Sequence, residues 1–187
     1  EREIALEERF IKLSEPGDFL EVNPLNQIPA LFVERGKCYF DSDVILDYLD
    51  TLHEGSPLIP ELNRFECKTA IHLANGVIES TLLRTMELRR PECQQSKTYV
   101  AHLEARVMRG INTMEKKRET KIGDWLNGEE ITTAVALSYV DFRFSTEWRK
   151  TAPTLETWFG RVSCRKSMEL TAPTRERPIT MIDKIRV

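Results

Sequence analysis

Two dipeptides, Ile28-Pro29 and Asp41-Ser42, have residue types and a spacing suited to binding a ligand. Ser42 stands where an apolar run gives way to a helical pattern, and the start of a helix offers free backbone N–H groups that bind carboxylates. The neighbouring Asp41 carboxylate suits an ammonium group. Asp41-Ser42 therefore predicts a site for the two charged ends of a free amino-acid moiety. The simpler interpretation, that Asp41-Ser42 only caps a helix, stays open at this point.

The segment around these dipeptides predicts a strand, a hairpin, a second strand and a helix. The runs PALFV and KCYF have the length and composition of strands. After Ser42, apolar residues recur with the 3.6-residue period of a helix and predict its buried face. The residues of this face are Val44, Ile45, Tyr48 and Leu49.

Residues 23–50, which read NPLNQIPALFVERGKCYFDSDVILDYLD, resemble the second half of the thioredoxin-like domain of glutathione transferases. The resemblance implies that the Ile28-Pro29 bond is cis and that the Ile28 backbone pairs with the cysteinyl part of glutathione. It also implies that Asp41 and Ser42 bind the γ-glutamyl end. The residues then expected to contact glutathione, the co-substrate of these enzymes, are Asn26, Gln27, Ile28, Pro29, Asp41 and Ser42.

Two later stretches resemble the helical domain of bacterial glutathione transferases. The first reads IHLANGVIESTLLRTMELRRPECQQS. The second begins LSYVDFRF and continues, a few residues later, as WRKTAPTLETWFGRVSCRKSMELTAP. Apolar periodicity predicts long helices over residues 64–90 and 94–119. The expected fold class is α/β plus all-α. A partial thioredoxin-like domain covers residues 1–53, a Gly- and Pro-containing linker covers 54–63, and an all-helical domain covers 64–187. The resemblance ends near residue 174.

The residues IALEER, at positions 4–9, resemble the end of the first helix of this fold. The resemblance implies that a first strand and a loop precede them, and that this loop carries the catalytic Ser, Tyr or Cys. The catalytic residue is therefore unknown, and we assign none within the 187 residues.

The composition narrows the classes of partner. A formal net charge of −3 argues against nucleic acid, because binding to a phosphate backbone requires a basic surface. No apolar run approaches the roughly 20 residues that span a membrane. The four cysteines are far apart and predict reduced thiols in a cytoplasmic protein, without a disulfide framework. The three histidines stand alone, so we predict no metal site.

Asn127 and Glu130 precede a long apolar run and form the pattern of a capping box. In this pattern each side chain accepts a hydrogen bond from a free N–H group of the first turn. We therefore expect a buried helix that begins after Asn127, and a role for Asn127 in folding and not in chemistry.

The resemblance implies a glutathione transferase that activates the glutathione thiol for attack on a small hydrophobic electrophile. It also implies a homodimer, with residues 64–90 and the helix after Ser42 near the two-fold axis. The alternative is a binding or scaffold protein that keeps this fold without the chemistry. The residue in the first loop discriminates the two, since a Ser, Tyr or Cys there favours the enzyme.

Overall fold

The computed structural model describes residues 4–33, 36–119 and 123–173, together with the backbone of residues 180–185. The chain divides into two compact units, one formed by residues 1–56 and 174–187 and the other by residues 57–173. The first unit combines short strands with two helices, and the described part of the second is helical. This division confirms the expected α/β plus all-α class.

The first unit is built on a short β-hairpin. Its elements in chain order are β1 (Leu6–Phe10), α1 (Phe19–Val22), β2 (Ala30–Phe32), β3 (Cys38–Phe40) and α2 (Ser42–Asp50). The expectation that IALEER ends a helix is wrong, because Leu6–Phe10 is a strand that pairs with Thr180–Ile185. β2 and β3 pair antiparallel, with Ala30 opposite Phe40. Because side chains alternate along a strand, Ala30 packs with Phe19 on one face while Leu31 packs with Ile45 on the other. Both faces of the hairpin are therefore covered by apolar side chains.

Helix α2 buries a narrower stripe than the sequence predicts. Ile45 is buried, and the half-buried Tyr48 and Leu49 pack with it against Leu31. Val44, however, is 49% exposed. Successive helical residues are rotated by about 100°, so Val44 lies at the margin of a helix that contacts the sheet along one line only. The prediction that Val44 is buried is therefore wrong for the single chain.

The sequence predicts a helical domain over residues 64–187, but the structure places residues 174–187 in the first unit. Residues Thr180–Ile185 form a strand, β4, that pairs antiparallel with β1 and belongs to the first unit. The strand also lies against β2. An unpaired strand edge presents a row of N–H and C=O groups that another strand can satisfy, and β4 supplies partners to β1.

The second unit is a helical bundle. Its helices are α3 (Arg64–Leu88), α4 (Lys97–Lys117), α5 (Gly128–Arg143), α6 (Pro153–Val162) and α7 (Lys166–Thr171). The sequence predicts a buried face of α4 that runs from Tyr99 to Met114. The burial of Leu103, Val107, Ile111 and Met114 confirms most of it, but Tyr99 is 41% exposed. Where α4 meets α3, a Cβ atom on Gly110 would lie 2.4 Å from the Cγ2 of Val77. The glycine therefore permits a close approach of the two helices.

The capping box at the start of α5 is confirmed. Glu130 N donates to Asn127 Oδ1 at 2.9 Å, and Asn127 N donates to Glu130 Oε2 at 3.0 Å. Gly128 N donates to the carbonyl of Leu58 at 2.7 Å, and Leu58 is only 7% exposed. Leu58 lies inside the predicted linker, so the second half of that segment is anchored to the helical unit. The boundary between the units consequently falls after Ser56.

Helix α6 is capped by a side chain from another helix. The carboxylate of Glu115, on α4, accepts hydrogen bonds from Thr154 N at 3.0 Å and Leu155 N at 2.7 Å. Burial by itself raises the pKa of Glu115, but the hydrogen bonds from Thr154 and Leu155 outweigh it and lower that pKa below its ordinary value. The charged form of Glu115 therefore stabilises the junction of α4 and α6.

The described ranges contain neither a membrane-spanning helix nor a cluster of metal ligands. No helix there is long and apolar enough to cross a membrane. No group of three or more His, Cys, Asp or Glu side chains is placed there to hold a metal ion.

We expect Glu115→Gln to lower the free energy of unfolding by about 1–2 kcal/mol at pH 7, because a neutral acceptor replaces a charged one at two backbone donors. The folded-state pKa of Glu115 lies below the unfolded value, so this stabilisation is present above about pH 4.3 and is lost as the pH falls through the folded-state pKa. Urea unfolding at pH 7 and pH 3 measures the difference.

The exposed Glu119 provides the matched control, and Glu119→Gln should change neither value. A Glu115→Gln variant that loses the same free energy at both pH values would contradict a role for the charge.

Candidate functional site

The hairpin brings the two predicted dipeptides to the same end of the sheet. Ala30 opposite Phe40 is the last pair of the β2–β3 ladder. The residues next to that pair, Pro29 before β2 and Asp41 after β3, therefore leave the sheet side by side. This end of the sheet, including the first turn of α2, is the candidate site.

The Ile28-Pro29 peptide bond is cis, as predicted. The Ile28 side chain is half-buried and packs against the cluster that contains Phe19 and Ala30. Its backbone N–H and C=O form no hydrogen bond with any residue of the described ranges. A ligand backbone that approaches Ile28 can therefore pair with both groups.

Asp41 is the residue that caps α2, in place of Ser42. Its Oδ1 accepts a hydrogen bond from Asp43 N at 2.9 Å, and its carbonyl accepts the first helical bond from Ile45 N at 3.0 Å. Its φ of 74° lies in the left-handed region, which non-glycine residues rarely adopt and which Asp tolerates better than most. The cap occupies one carboxylate oxygen and leaves Oδ2 for a cation.

Ser42 is the first residue of α2, and it is exposed. Its hydroxyl has no hydrogen-bond partner in the part of the chain that the structure describes. The N–H groups of the first helical turn lack intrahelical acceptors, and the helix dipole makes this end electropositive. Ser42 therefore presents two donors, a hydroxyl and an N–H, to an anion.

The loop before Pro29 is held by Asn23, which the sequence analysis missed. Asn23 is 1% exposed, its Oδ1 accepts from Leu25 N at 3.1 Å, and its Nδ2 donates to the carbonyl of Gln27 at 2.7 Å. The signal that would have found it is the Asn23-Pro24 dipeptide, since Asn before Pro favours a turn that the Asn side chain stabilises. Asn23 thus fixes the backbone that leads to the cis bond.

Asn26 and Gln27 have different positions in this loop. Asn26 adopts a positive φ of 50°, and its Nδ2 donates to the carbonyl of Leu13 at 3.0 Å. Its Oδ1 is buried without a hydrogen-bond partner. The Gln27 side chain is exposed, while its carbonyl is held by Asn23. The amide of Asn26 therefore shapes the loop, and contact of either residue with glutathione stays a prediction.

Comparisons with known proteins place this geometry in a family. Residues 1–52 match the family described as "Glutathione S-transferase, N-terminal domain". A glutathione transferase family member from Pseudomonas fluorescens Pf-5, solved with bound glutathione, is 32% identical and superposes with a TM-score of 0.81. That alignment covers 89% of this chain and 83% of the Pseudomonas chain. This chain belongs to the glutathione transferase family.

Two further relatives are similar over most of their length. The glutathione S-transferase of Methylobacillus flagellatus KT, solved with glutathione, is 27% identical with a TM-score of 0.80, covering 88% of this chain and 85% of that one. An uncharacterized GST-like protein, YibF, of Escherichia coli K12 is 27% identical over 160 residues, which are 83% of this chain and 79% of that protein. The two units thus correspond to the thioredoxin-like and helical domains of the glutathione transferase fold.

We expect Asn23→Ala to loosen the loop that precedes Pro29, because it leaves Leu25 N and the Gln27 carbonyl without their partner. One hydrogen bond contributes about 0.5–1.5 kcal/mol net, and Leu25 is 63% exposed, so amide exchange at Leu25 should accelerate roughly two- to tenfold. Hydrogen exchange read by NMR measures this at single residues.

Asn63→Ala is the control, because Asn63 is exposed and its side chain forms no cap on α3. Equal protection of Leu25 in the Asn23→Ala variant and the parent protein would show that Asn23 does not hold the loop.

Proposed function

We propose that this protein binds glutathione and activates its thiol for attack on a small hydrophobic electrophile. The observation that carries the proposal is that Asp41, and not Ser42, caps α2. Asp41 caps the helix, so the Ser42 hydroxyl and the N–H groups of the first turn are left for an anion. The glutathione found in the Pseudomonas and Methylobacillus structures supports the choice of ligand.

In the proposed complex, the γ-glutamyl carboxylate accepts hydrogen bonds from the Ser42 hydroxyl and backbone N–H. The γ-glutamyl ammonium lies beside Asp41 Oδ2, the oxygen that the cap leaves free. The cysteinyl unit pairs with the free N–H and C=O of Ile28. Contacts to the γ-glutamyl and cysteinyl units hold the tripeptide in one orientation, which fixes the position of its thiol.

The chemistry requires the thiolate, which is the nucleophilic form of a thiol. The thiolate sulfur forms a bond to the electrophilic carbon, the leaving group departs with its electron pair, and the thiol proton passes to solvent. A hydroxyl donor and the positive end of a helix both favour the thiolate. We assign no residue of this sequence as the group that lowers the thiol pKa.

We expect Ser42→Ala to raise the dissociation constant of glutathione roughly ten- to a hundred-fold, because one hydrogen bond to a charged ligand group contributes about 1.5–3 kcal/mol. The free energy of unfolding should change by less than about 0.5 kcal/mol, since Ser42 is not the cap. Calorimetric titration with glutathione measures the affinity, and urea unfolding measures the stability.

Ser96→Ala is the matched control. Ser96 caps α4 through a hydrogen bond from Tyr99 N to its hydroxyl at 3.2 Å. This variant should lose about 1 kcal/mol of stability and bind glutathione unchanged. If the parent and the Ser42→Ala variant bind equally, or if neither binds, the proposed site is wrong.

Turnover separates the enzyme from a non-catalytic binding protein with the same fold. The probe is 1-chloro-2,4-dinitrobenzene, whose aromatic carbon accepts the thiolate and releases chloride. A rate of thioether formation above that of free glutathione supports the transferase. If the protein binds glutathione but does not accelerate thioether formation, the scaffold alternative is favoured. The cytoplasmic location stays a prediction from the sequence.

We also propose that the protein is a homodimer. The segment that leads into α3 exposes Leu62 fully and leaves Phe65 78% exposed, and their spacing of three places them on one face of the helix start. In the first unit, Val44 on α2 is likewise exposed. Apolar side chains this exposed are typical of surfaces that another chain covers, and a two-fold interface buries the same patch twice.

We expect light scattering to give twice the 21.7 kDa mass of one chain at micromolar concentration. Phe65→Glu should shift the protein to the monomer, because it places charge in a buried apolar interface. Leu170→Glu tests whether any exposed leucine has this effect, since Leu170 is 60% exposed on α7 and the dimer should survive its replacement. A monomeric parent protein would contradict the proposal.

A further inference from the structure

A groove of about 290 Å³ lies between α3 and α4 of the helical unit, and we call it the α3–α4 groove. Leu73 and Val77 give it an apolar part. Arg106 and Arg109, which also line it, are exposed, so the groove opens to solvent on their side. Ligand pockets in proteins start at about 300 Å³, and one water molecule occupies about 30 Å³ of liquid. The groove therefore has room for one small organic molecule.

The charges around the α3–α4 groove do not balance. Arg106 and Arg109 line it, and no carboxylate of the described residues does. Glu79, beside the groove on α3, pairs with Arg106 at 3.4 Å, and both of these side chains are largely exposed. Within the described ranges the Arg109 side chain forms no ion pair or hydrogen bond. One full positive charge therefore stays uncompensated after the Glu79 pair is counted, and His72, which also lines the groove, adds to it when protonated.

The two arginines have a spacing that favours an oxyanion. They are three residues apart on α4, so they lie on one face of the helix. Like charges at this spacing destabilise a helix, whereas an anion between them removes the repulsion. Each guanidinium is a planar fork of N–H donors that matches the oxygens of a phosphate or a carboxylate. The arrangement is thus unfavourable for the chain alone and favourable with an oxyanion bound.

Gly76 keeps the groove open beneath one of these guanidinium groups. A Cβ atom at Gly76 would lie 3.8 Å from Arg106 Nη2, which is an ordinary contact distance, and would meet no closer atom of the described residues. Packing within the chain therefore does not require this glycine. Gly110 differs, because its Cβ would lie 2.4 Å from Val77 Cγ2. A glycine inside a helix is less favourable than alanine, so Gly76 weakens α3 in order to leave space in the groove.

We propose that the α3–α4 groove binds a phosphate monoester with a small apolar body, such as one ring. The phosphate accepts hydrogen bonds from the guanidinium groups of Arg106 and Arg109, and the apolar body lies against Leu73, in the space over Gly76. A phosphate monoester carries about 1.5–2 negative charges at pH 7, which matches the uncompensated arginine together with His72. All of these residues belong to the helical unit, so the site is additional to the proposed glutathione site and does not depend on it.

Phenyl phosphate is the probe, titrated into the full protein at pH 7 and followed by NMR shifts of the backbone amides. Saturable shifts are expected at the residues of α3 and α4 that line the groove. Arg109→Gln removes the uncompensated charge, so it should raise the dissociation constant of phenyl phosphate at least about tenfold. Arg89→Gln is the matched control and should leave the affinity unchanged. Arg89 is exposed just after α3, outside the groove, and within the described residues it has no acidic partner.

A second variant tests the space in the groove. Gly76→Leu fills the region beneath Arg106, so it should also weaken the binding of phenyl phosphate at least about tenfold. It should not lower the melting temperature, because leucine is a better helix former than glycine. Inorganic phosphate lacks the ring and phenol lacks the phosphate, so each should bind at least about tenfold more weakly than phenyl phosphate.

Light scattering separates a ligand site from an interface, and phenyl phosphate should leave the mass in solution unchanged. Dissociation of a dimer by phenyl phosphate would show that the groove is covered by a second copy of the chain, and would overturn the proposal. Shifts at the start of α2 in place of the groove would place the anion at Ser42 and would also overturn it. The same holds for an absence of saturable binding, or for equal affinity of the parent, Arg109→Gln and Gly76→Leu proteins.

Discussion

The backbone reversal at Asp41 is the constraint on which the candidate site depends. The strand β3 ends at Phe40 and α2 begins at Ser42, so one residue must turn the chain. Asp41 does so with a φ of 74°, and its own carboxylate accepts the Asp43 N–H that the turn exposes. A left-handed non-glycine residue is strained, and the hydrogen bond offsets part of that strain. The consequence is a helix whose first serine is not needed for capping.

In the helical unit, hydrogen bonds to side chains also satisfy the starts of several helices. Asn127 and Glu130 cap α5 locally, whereas Glu115 reaches from α4 to cap α6. Glu87 does the equivalent at the junction of α3 and α4. Its carboxylate accepts hydrogen bonds from the Ser96 N–H and the Arg90 guanidinium. The Ser96 bond and, to a lesser extent, the Arg90 bond lower the pKa of Glu87 below its ordinary value. The bonds of Glu115 and Glu87 each tie the start of one helix to another helix.

Against this background, buried polar groups without partners are informative. In the described part of the chain these atoms are Asn26 Oδ1, Arg118 Nε and Trp158 Nε1. Asn26 belongs to the loop of the candidate glutathione site, whereas Arg118 lies over Trp158 in the helical unit. A buried polar side-chain atom without a partner marks a position where a ligand or an ordered water can complete the bonding.

Local features were determined by the sequence itself. The capping box at Asn127 is confirmed because both of its bonds lie within four residues, and most of the apolar face of α4 is confirmed because helical periodicity is regular. The cis bond at Pro29 followed from the family resemblance. Tertiary structure decided the rest. Which of Asp41 and Ser42 caps α2 depends on a backbone angle, and the exposure of Val44 depends on how much of α2 the sheet covers. The pairing of Thr180–Ile185 with β1 joins segments some 170 residues apart, which no local pattern can encode.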